Sequence, residues 1–230
     1  MSTHVMLDLE TMGNTSNAAI VSIGAVVFSP VTGALGADFE VVVNLNSSAY
    51  YSDIDASTVT WWLTQSEEAR SIFLKDTPKS SLKDALLELN QWFADLGDSR
   101  DIQVWGNGSG FDNVILANAF KAVRIKPHFS HWNDRYVRTI VEMGRSILGI
   151  DPKTTFTRQG IHHSALDDAK FQAKYVSAIW QAFAQTNKSP IELVRVAIQQ
   201  AEELGLVRTE DGSVITGAIQ TDDGIVLVTE

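Results

Sequence analysis

The feature that most constrains this chain is an apolar run near its start that ends in two acidic residues. Val5, Met6 and Leu7 precede Asp8, and Glu10 follows two positions later. Alternate residues of a β-strand point to the same side, so Asp8 and Glu10 place two carboxylates on one face. Like charges this close repel each other unless one is protonated or a cation lies between them. The pattern predicts a buried strand that ends at a site for an oxygen-ligated divalent cation, whereas a solvated edge strand is the competing interpretation.

The order of apolar patterns along the chain predicts an α/β fold. Segments rich in β-branched residues and separated by short turns come first, and a further apolar strand then alternates with segments of helical period. The predicted strands cover residues 4–8, 20–28, 39–43 and 102–105. The predicted helices cover residues 56–63, 67–74, 81–96, 111–123, 137–148 and 164–184. Such an order is typical of a mixed sheet with helices on its faces.

The helix starts carry capping signals, and the end of the chain has a pattern of its own. We expect Asp55 or Ser57 to cap the helix at 56–63, and Thr64 with Glu67 to form a capping box. A helix is predicted from Pro190 to about Leu204. A hairpin over residues 213–219 and 225–229 follows, with its turn at residues 222–224. We predict a main domain over residues 1–188 and a C-terminal extension over 189–230, which either packs on the main domain or lies at a dimer interface.

Composition excludes several classes of protein. The 230 residues include no cysteine, which excludes disulfides, thiolate ligands and a cysteine nucleophile, and favours a cytoplasmic location. No apolar run is long enough to span a membrane, and the first residues lack the pattern of a secretory signal. The net charge of −10 argues against a large basic surface for nucleic acid. Clustered acids that bind metal would account for part of that charge, so the partner stays open.

A further acidic residue, Asp112, follows a glycine-rich loop at 106–110 and begins a predicted helix. It is either a third carboxylate of the cation site or an acid that complements the helix dipole. The loop lacks the lysine and the spacing of a P-loop, so we do not expect it to cradle a nucleotide phosphate.

Residues 162–168 lead into the long predicted helix. Asp168 falls in its first turns and His163 precedes it, so the two side chains can reach one site. A histidine, with an ordinary pKa of about 6.5, can accept a proton from water near neutral pH. From the residues alone, His162 and Asp167 remain open as alternatives.

Trp61 and Trp62 are neighbours on a predicted helix, about 100° apart around its axis. Both cannot face the same core. We expect one of them in the core, while the other either covers a loop or stacks on a base or sugar.

In this order the segments resemble the motifs of the DnaQ-like, or DEDD, 3′→5′ exonucleases. Residues 8–11 match the first motif, residues 110–113 the second and residues 163–169 the third. The spacing from His163 to Asp168 matches the histidine-bearing (DEDDh) subgroup, and it selects these two residues over their neighbours. The resemblance covers about residues 1–185.

Additional segments look like the exonuclease VIII-type and T-even phage exonuclease A group. They comprise residues 7–13, 60–62 and 131–135, together with Arg138 and Thr139.

The resemblance implies a fold, a reaction and a set of site residues. The fold is a ribonuclease H-like mixed five-stranded sheet flanked by helices. Two divalent cations, Mg²⁺ or Mn²⁺, would assist the release of nucleoside 5′-monophosphates from a 3′ end. The implied metal ligands are Asp8, Glu10, Asp112 and Asp168, the implied general base is His163, and the residues against the terminal nucleotide are Thr11, Met12, Trp61 and Trp62.

Several alternatives accompany this interpretation. The phage-like resemblance favours single-stranded DNA or 3′ overhangs, and RNA 3′ ends are the alternative substrate. A catalytically silent nucleic-acid-binding protein and a ribonuclease H-like endonuclease are the other hypotheses. We expect a location in the cytoplasm of a bacterium or of a phage-infected host cell, with no membrane partner, and a homodimer stays open.

Overall fold

The structure, a computed structural model, describes residues 2–186, 189–203 and 213–229. It divides into two compact units, Met1–Trp180 and Gln181–Glu230. The strands are β1 (Thr3–Thr11), β2 (Ile20–Phe28), β3 (Leu35–Val42), β4 (Ile102–Gly106), β5 (Asp134–Tyr136), β6 (Ile215–Thr221) and β7 (Gly224–Thr229). The α-helices are α1 (Leu45–Ala49), α2 (Ala56–Leu63), α3 (Glu67–Arg70), α4 (Leu82–Asp95), α5 (Asp112–Ala122), α6 (Val137–Met143), α7 (Pro152–Thr155), α8 (Ala165–Thr186) and α9 (Pro190–Glu203).

The first unit is built on a five-stranded sheet in the order β3-β2-β1-β4-β5. Strands β1, β2 and β3 pair antiparallel, whereas β1, β4 and β5 pair parallel. The predicted mixed α/β sheet with flanking helices is therefore confirmed. Strand β2 has the predicted bounds, while β1, β3 and β4 are longer than predicted. Strand β5 has three residues, too few to produce a detectable alternation.

Strand β1 lies in the middle of the sheet and is buried on both faces. One face presents Val5, Leu7 and Leu9 to the main apolar core, which includes side chains of α4 and α5. The other face carries Asp8, whose carboxylate accepts a hydrogen bond from Gln172 of α8. A solvated edge strand is therefore the wrong interpretation of the N-terminal pattern. The carboxylates are confined between the sheet and a helix.

Helix starts follow the expected chemistry with one correction. Asp55 caps α2 by accepting from the backbone N–H groups of Ser57 and Thr58. The cap of α3 is Ser66, not Thr64, and α3 ends after one turn and continues as a 3₁₀ segment, Ser71–Phe73. The side chain of Ser66 accepts a hydrogen bond from the backbone N–H of Ala69, three residues later, as the side chain of an N-cap residue does.

The helix predicted over 137–148 changes its type along its length. Helix α6 ends at Met143, and a π-helical segment covers Gly144–Leu148. Helices α1 and α7 were not predicted, because four or five residues are too few to establish a helical period.

The first turn of α8 approaches the sheet closely at Gly24 of β2. A Cβ added at Gly24 would lie 2.2 Å from the backbone of Ala165 and of Leu166. Gly24 is the register partner of Asp8. The absence of a side chain at this position therefore lets the start of α8 lie beside Asp8.

The described part of the second unit contains α9 and a β-hairpin. Its strands β6 and β7 pair antiparallel around the predicted turn at residues 222–224. Ile198, Ile215 and Ala218 form its small apolar cluster. Arg195 donates to the carbonyl of Ala218. The predicted helix end at Leu204 lies outside the described residues. Among the described helices, none combines the length and the apolar character that a membrane span requires.

Candidate active site

Three of the predicted carboxylates meet in one place. Oxygen atoms of Asp8, Glu10 and Asp168 lie within 4.8 Å of one another. Asp8 and Glu10 come from the same face of β1, and Asp168 comes from the first turn of α8. They line a cavity of about 340 Å³. An all-oxygen donor set of this kind is suited to Mg²⁺ or Mn²⁺.

Asp112 lines the same cavity but is held differently. One of its carboxylate oxygens accepts from the backbone N–H of Leu9 at 3.2 Å, and the other accepts from Asn107 at 2.8 Å. The pairing of β1 with β4 ends at Met6 and Trp105, so Leu9 lies beyond it. Asp112 thus joins the ends of the two strands. These bonds fix the orientation of a carboxylate that also faces the cavity.

The end of β4 permits this placement because Gly106 has no side chain. A Cβ at Gly106 would lie 2.1 Å from the Asn113 amide oxygen and 3.1 Å from the Cβ of Asp112. The start of α5 can therefore approach the strand. Asp112 therefore lies in the cavity with the other acids, whereas an acid that only complemented the helix dipole would need no such position.

The buried carboxylates are poorly suited to bear their charges together without a cation. Asp8, Glu10 and Asp112 are only 8%, 7% and 1% exposed. Burial raises the pKa of all three, and Asp112 further raises the pKa of Asp8 and Glu10 by repulsion. The pKa of Glu10 reaches about 8. Such a cluster favours the binding of positive charge.

Basic side chains face the acids across the cavity. The Arg158 guanidinium contacts the Asp168 carboxylate. Arg138 and Lys153 line the same space. Positive groups beside an acidic cluster can bind the phosphate oxygens of a nucleic acid without reading its sequence.

His163 lies on the loop that precedes α8, with its backbone in the left-handed region at φ 66°. Its ring contacts Trp61 edge to face, with centroids 4.7 Å apart. Burial, and then the charges of His162 and Arg158, lower the pKa of His163 to about 4. The imidazole is therefore neutral at pH 7 and able to accept a proton.

The two alternatives to the His163 and Asp168 pair lie beside them. His162 is exposed and its ring centroid is 3.8 Å from that of His163. Asp167 accepts a hydrogen bond of 2.7 Å from the backbone N–H of Ile161. Asp167 therefore anchors the loop, whereas the cavity is lined by Asp168.

The adjacent tryptophans separate as their 100° offset predicts. Trp62 is 3% exposed and packs in the core with Met12, while Trp61 is 41% exposed. The indole N–H of Trp62 donates to the carbonyl of Thr11 at 2.9 Å. None of the residues predicted to touch the terminal nucleotide, Thr11, Met12, Trp61 and Trp62, lines the cavity itself.

Sequence reasoning missed several side chains that complete the site. Gln172 donates to Asp8 at 2.6 Å and lies four residues after Asp168, on the same helix face. That spacing could have identified it. Arg158 and Lys153 come from a segment with no periodic pattern, and no local signal places them at the acids.

The comparisons with known proteins agree with this geometry. A family model described as a 3′-5′ exoribonuclease Rv2179c-like domain matches residues 3–180. A relative called exodeoxyribonuclease, from Enterobacteria phage T4, is 24% identical over 220 residues, which cover 82% of this chain and 96% of the relative.

Solved structures with a similar fold include two nucleases. The nuclease domain of 3′hExo, a DEDDh family member bound to rAMP, has a TM-score of 0.52 at 15% identity and covers 81% of this chain and 93% of that chain. Exonuclease I of E. coli, in complex with a dT13 oligonucleotide, has a TM-score of 0.60 at 13% identity, covering 81% of this chain and 42% of that one. These similarities establish the ribonuclease H-like exonuclease fold.

The family model spans most of the chain, and the motif residues meet at one cavity of the matched region. The chain therefore belongs to the 3′-5′ exoribonuclease Rv2179c-like domain family and is a 3′→5′ exonuclease of the DnaQ-like, DEDDh type.

Proposed function

We propose that this protein is a divalent-cation-dependent exonuclease that removes nucleoside 5′-monophosphates from the 3′ ends of single-stranded DNA or of 3′ overhangs. The observation that carries the proposal is the convergence of Asp8, Glu10 and Asp168 within 4.8 Å. We assign the catalytic site to residues 1–188 and treat 189–230 as an extension.

We propose that Asp8, Glu10, Asp112 and Asp168 hold two divalent cations, Mg²⁺ or Mn²⁺. The fit rests on this chain's own chemistry, because the donors are all oxygen and the charge of the buried acids is destabilising without a cation. When bound, such cations polarise a phosphodiester and lower the pKa of an attacking water.

The remaining side chains have complementary roles in the proposed reaction. His163 lines the cavity with the four acids, and its neutral ring accepts the proton of the attacking water. Gln172 orients the Asp8 carboxylate through its hydrogen bond. Arg138, Lys153 and Arg158 attract the phosphate backbone.

We further propose that the tryptophan pair supports the terminal nucleotide. Trp61 keeps an exposed ring next to His163 and can stack on a base or sugar. Trp62 is buried, so we assign it the positioning of Thr11, whose carbonyl it binds. Thr11 and Met12 follow Glu10 directly, and we assign them to the segment beside the terminal nucleotide.

The preference for DNA is supported by the phage T4 relative, called an exodeoxyribonuclease, which matches over almost its whole length. RNA is the second candidate substrate, and the description of the family model as an exoribonuclease favours it. Either substrate would use the same acids, because the reaction occurs at the phosphodiester.

The test is digestion of matched DNA and RNA oligonucleotides of one sequence, labelled at either end, with Mg²⁺ and with chelator. We expect stepwise shortening of the DNA from its 3′ end, release of 5′-monophosphates and no reaction in chelator. Faster digestion of RNA would replace DNA by RNA as the substrate. Cleavage of a circular single strand, or full activity in excess chelator, would contradict the proposed reaction.

A further inference from the structure

We propose that His162, His163 and Asp168 form a second metal site, selective for a dication that prefers nitrogen ligands such as Zn²⁺, and that its occupation inhibits the exonuclease. One ligand atom from each of the three residues lies within 4.8 Å of the other two. The inhibitory consequence rests on the proposed function, whereas the binding site does not.

The donor chemistry separates this site from the carboxylate cluster. Imidazole nitrogen suits Zn²⁺, Cu²⁺ and Ni²⁺, whereas carboxylate oxygen suits Mg²⁺ and Mn²⁺. Three protein ligands with an open fourth position also form a common arrangement for Zn²⁺. His162 is given no step in the proposed reaction, and a metal site would account for a second imidazole with its ring centroid 3.8 Å from that of the proposed base.

The loop that carries the histidines is already held in place. The backbone N–H of Ile161 donates to Asp167 at 2.7 Å, and the rings of Trp61 and His163 make an edge-to-face contact. His162 is exposed. Donors around a tetrahedral Zn²⁺ lie roughly 3.3 Å apart, given its bond lengths. Rotation of the exposed His162 side chain, together with small adjustments of His163 and Asp168, would bring the three donors to this spacing.

The two metal clusters share one ligand. Asp168 belongs both to the histidine cluster and to the cluster with Asp8 and Glu10. A metal on the histidine cluster would engage Asp168 and occupy the lone pair with which His163 accepts a proton. Arg158 contacts the shared Asp168, so a cation at either cluster has to displace this guanidinium. Because cations at the two clusters compete for Asp168, inhibition by Zn²⁺ should weaken as the Mg²⁺ concentration is raised.

The binding test uses Co²⁺ as a spectroscopic probe of the purified full-length protein, with Zn²⁺ as competitor and no substrate. We expect the visible absorption of Co²⁺ with nitrogen ligands, lost when Zn²⁺ is added. In His162→Gln the affinity should fall at least about tenfold. His131→Gln is the matched control, since His131 is exposed and lies outside both clusters. Equal Co²⁺ binding by His162→Gln and the unmodified protein would overturn the site.

The inhibition test measures 3′ digestion at fixed Mg²⁺ over a Zn²⁺ series. The rate of His162→Gln without Zn²⁺ is measured first and serves as its own reference, because His162 neighbours the proposed base, and digestion by this variant also demonstrates that it folds. The variant should require at least about tenfold more Zn²⁺ for half inhibition. Equal sensitivity of the two proteins would overturn the inhibitory role. Absence of nuclease activity with His162-dependent Co²⁺ binding would contradict the proposed function while supporting the site.

Discussion

The two sides of the cavity are built in different ways. The acidic side lies on β1 and on the first turns of α5 and α8, where Asp8 and Asp112 are buried and hydrogen-bonded. The opposite side lies on the loop before α8, where His163 has a left-handed backbone and neighbours an exposed His162. The acids are thus held by the fold, whereas the histidines depend on a few local contacts. We expect substitutions on the acidic side to abolish the reaction and those on the loop to slow it.

The largest effect is expected on the acidic side. Asp8→Ala and Asp168→Ala should each abolish detectable exonuclease activity, because each removes a proposed cation ligand. Circular dichroism and thermal melting should report a retained fold, since loss of Asp8 relieves repulsion with Glu10 and Asp112. Asp101→Ala, which alters an exposed acid, is the control. Normal digestion by Asp8→Ala would contradict the assignment of the site.

Substitutions on the loop side should lower the digestion rate less. His163→Ala is expected to lower the digestion rate by about 10²–10⁴-fold, the usual loss for a general base. The Mg²⁺ concentration for half-maximal rate should change much less, because the acids remain in place. Single-turnover digestion at several Mg²⁺ concentrations separates the two quantities. An unchanged rate would show that His163 is not the base, and a loss equal to that of Asp8→Ala would remove the difference between the two sides of the cavity.

Gly24 tests the packing of α8 against the sheet, which positions Asp168 on the acidic side. Gly24→Ala should lower the free energy of unfolding by about 1–3 kcal/mol or more, since its Cβ would meet the backbone of α8 rather than a movable side chain. Activity should also fall, because α8 carries Asp168. Gly110→Ala is the matched control, as no atom lies within 4 Å of a Cβ there. Equal melting temperatures of the two variants would show that the close approach is unimportant.

The smallest expected effect is a dependence of the free energy of unfolding on pH. Burial and Asp112 raise the pKa of Glu10 from 4.5 to about 8, so the folded chain retains a proton that the unfolded chain releases. In chelator, the free energy of unfolding should therefore fall as pH rises from about 4.5 through about 8. Melting temperatures across this range are the measurement. Glu10→Gln should have a shallower dependence, and saturating Mg²⁺ should weaken it as well. An identical slope in Glu10→Gln would contradict the role of this carboxyl.

Local patterns predicted much of the first unit. The strand with Asp8 and Glu10, the cap at Asp55 and the long α8 all depend on interactions within a few residues, which the sequence displays directly. The short β5 and the one-turn α7 escaped prediction because their stability comes from packing rather than from period. Gln172 could have been predicted from its spacing of four residues from Asp168.

By itself the sequence determined the kind of chemistry available. Alternation in β1 places Asp8 and Glu10 on one side whatever the rest of the chain does, because strand geometry is local. Only the tertiary structure decided that Asp112 bonds the backbone of β1 and that Arg158 contacts Asp168. It also decided that His162 lies within reach of the same carboxylate as His163. These contacts join distant segments, and they follow from the approach of α5 and α8 to the sheet at two glycines, which no local pattern encodes.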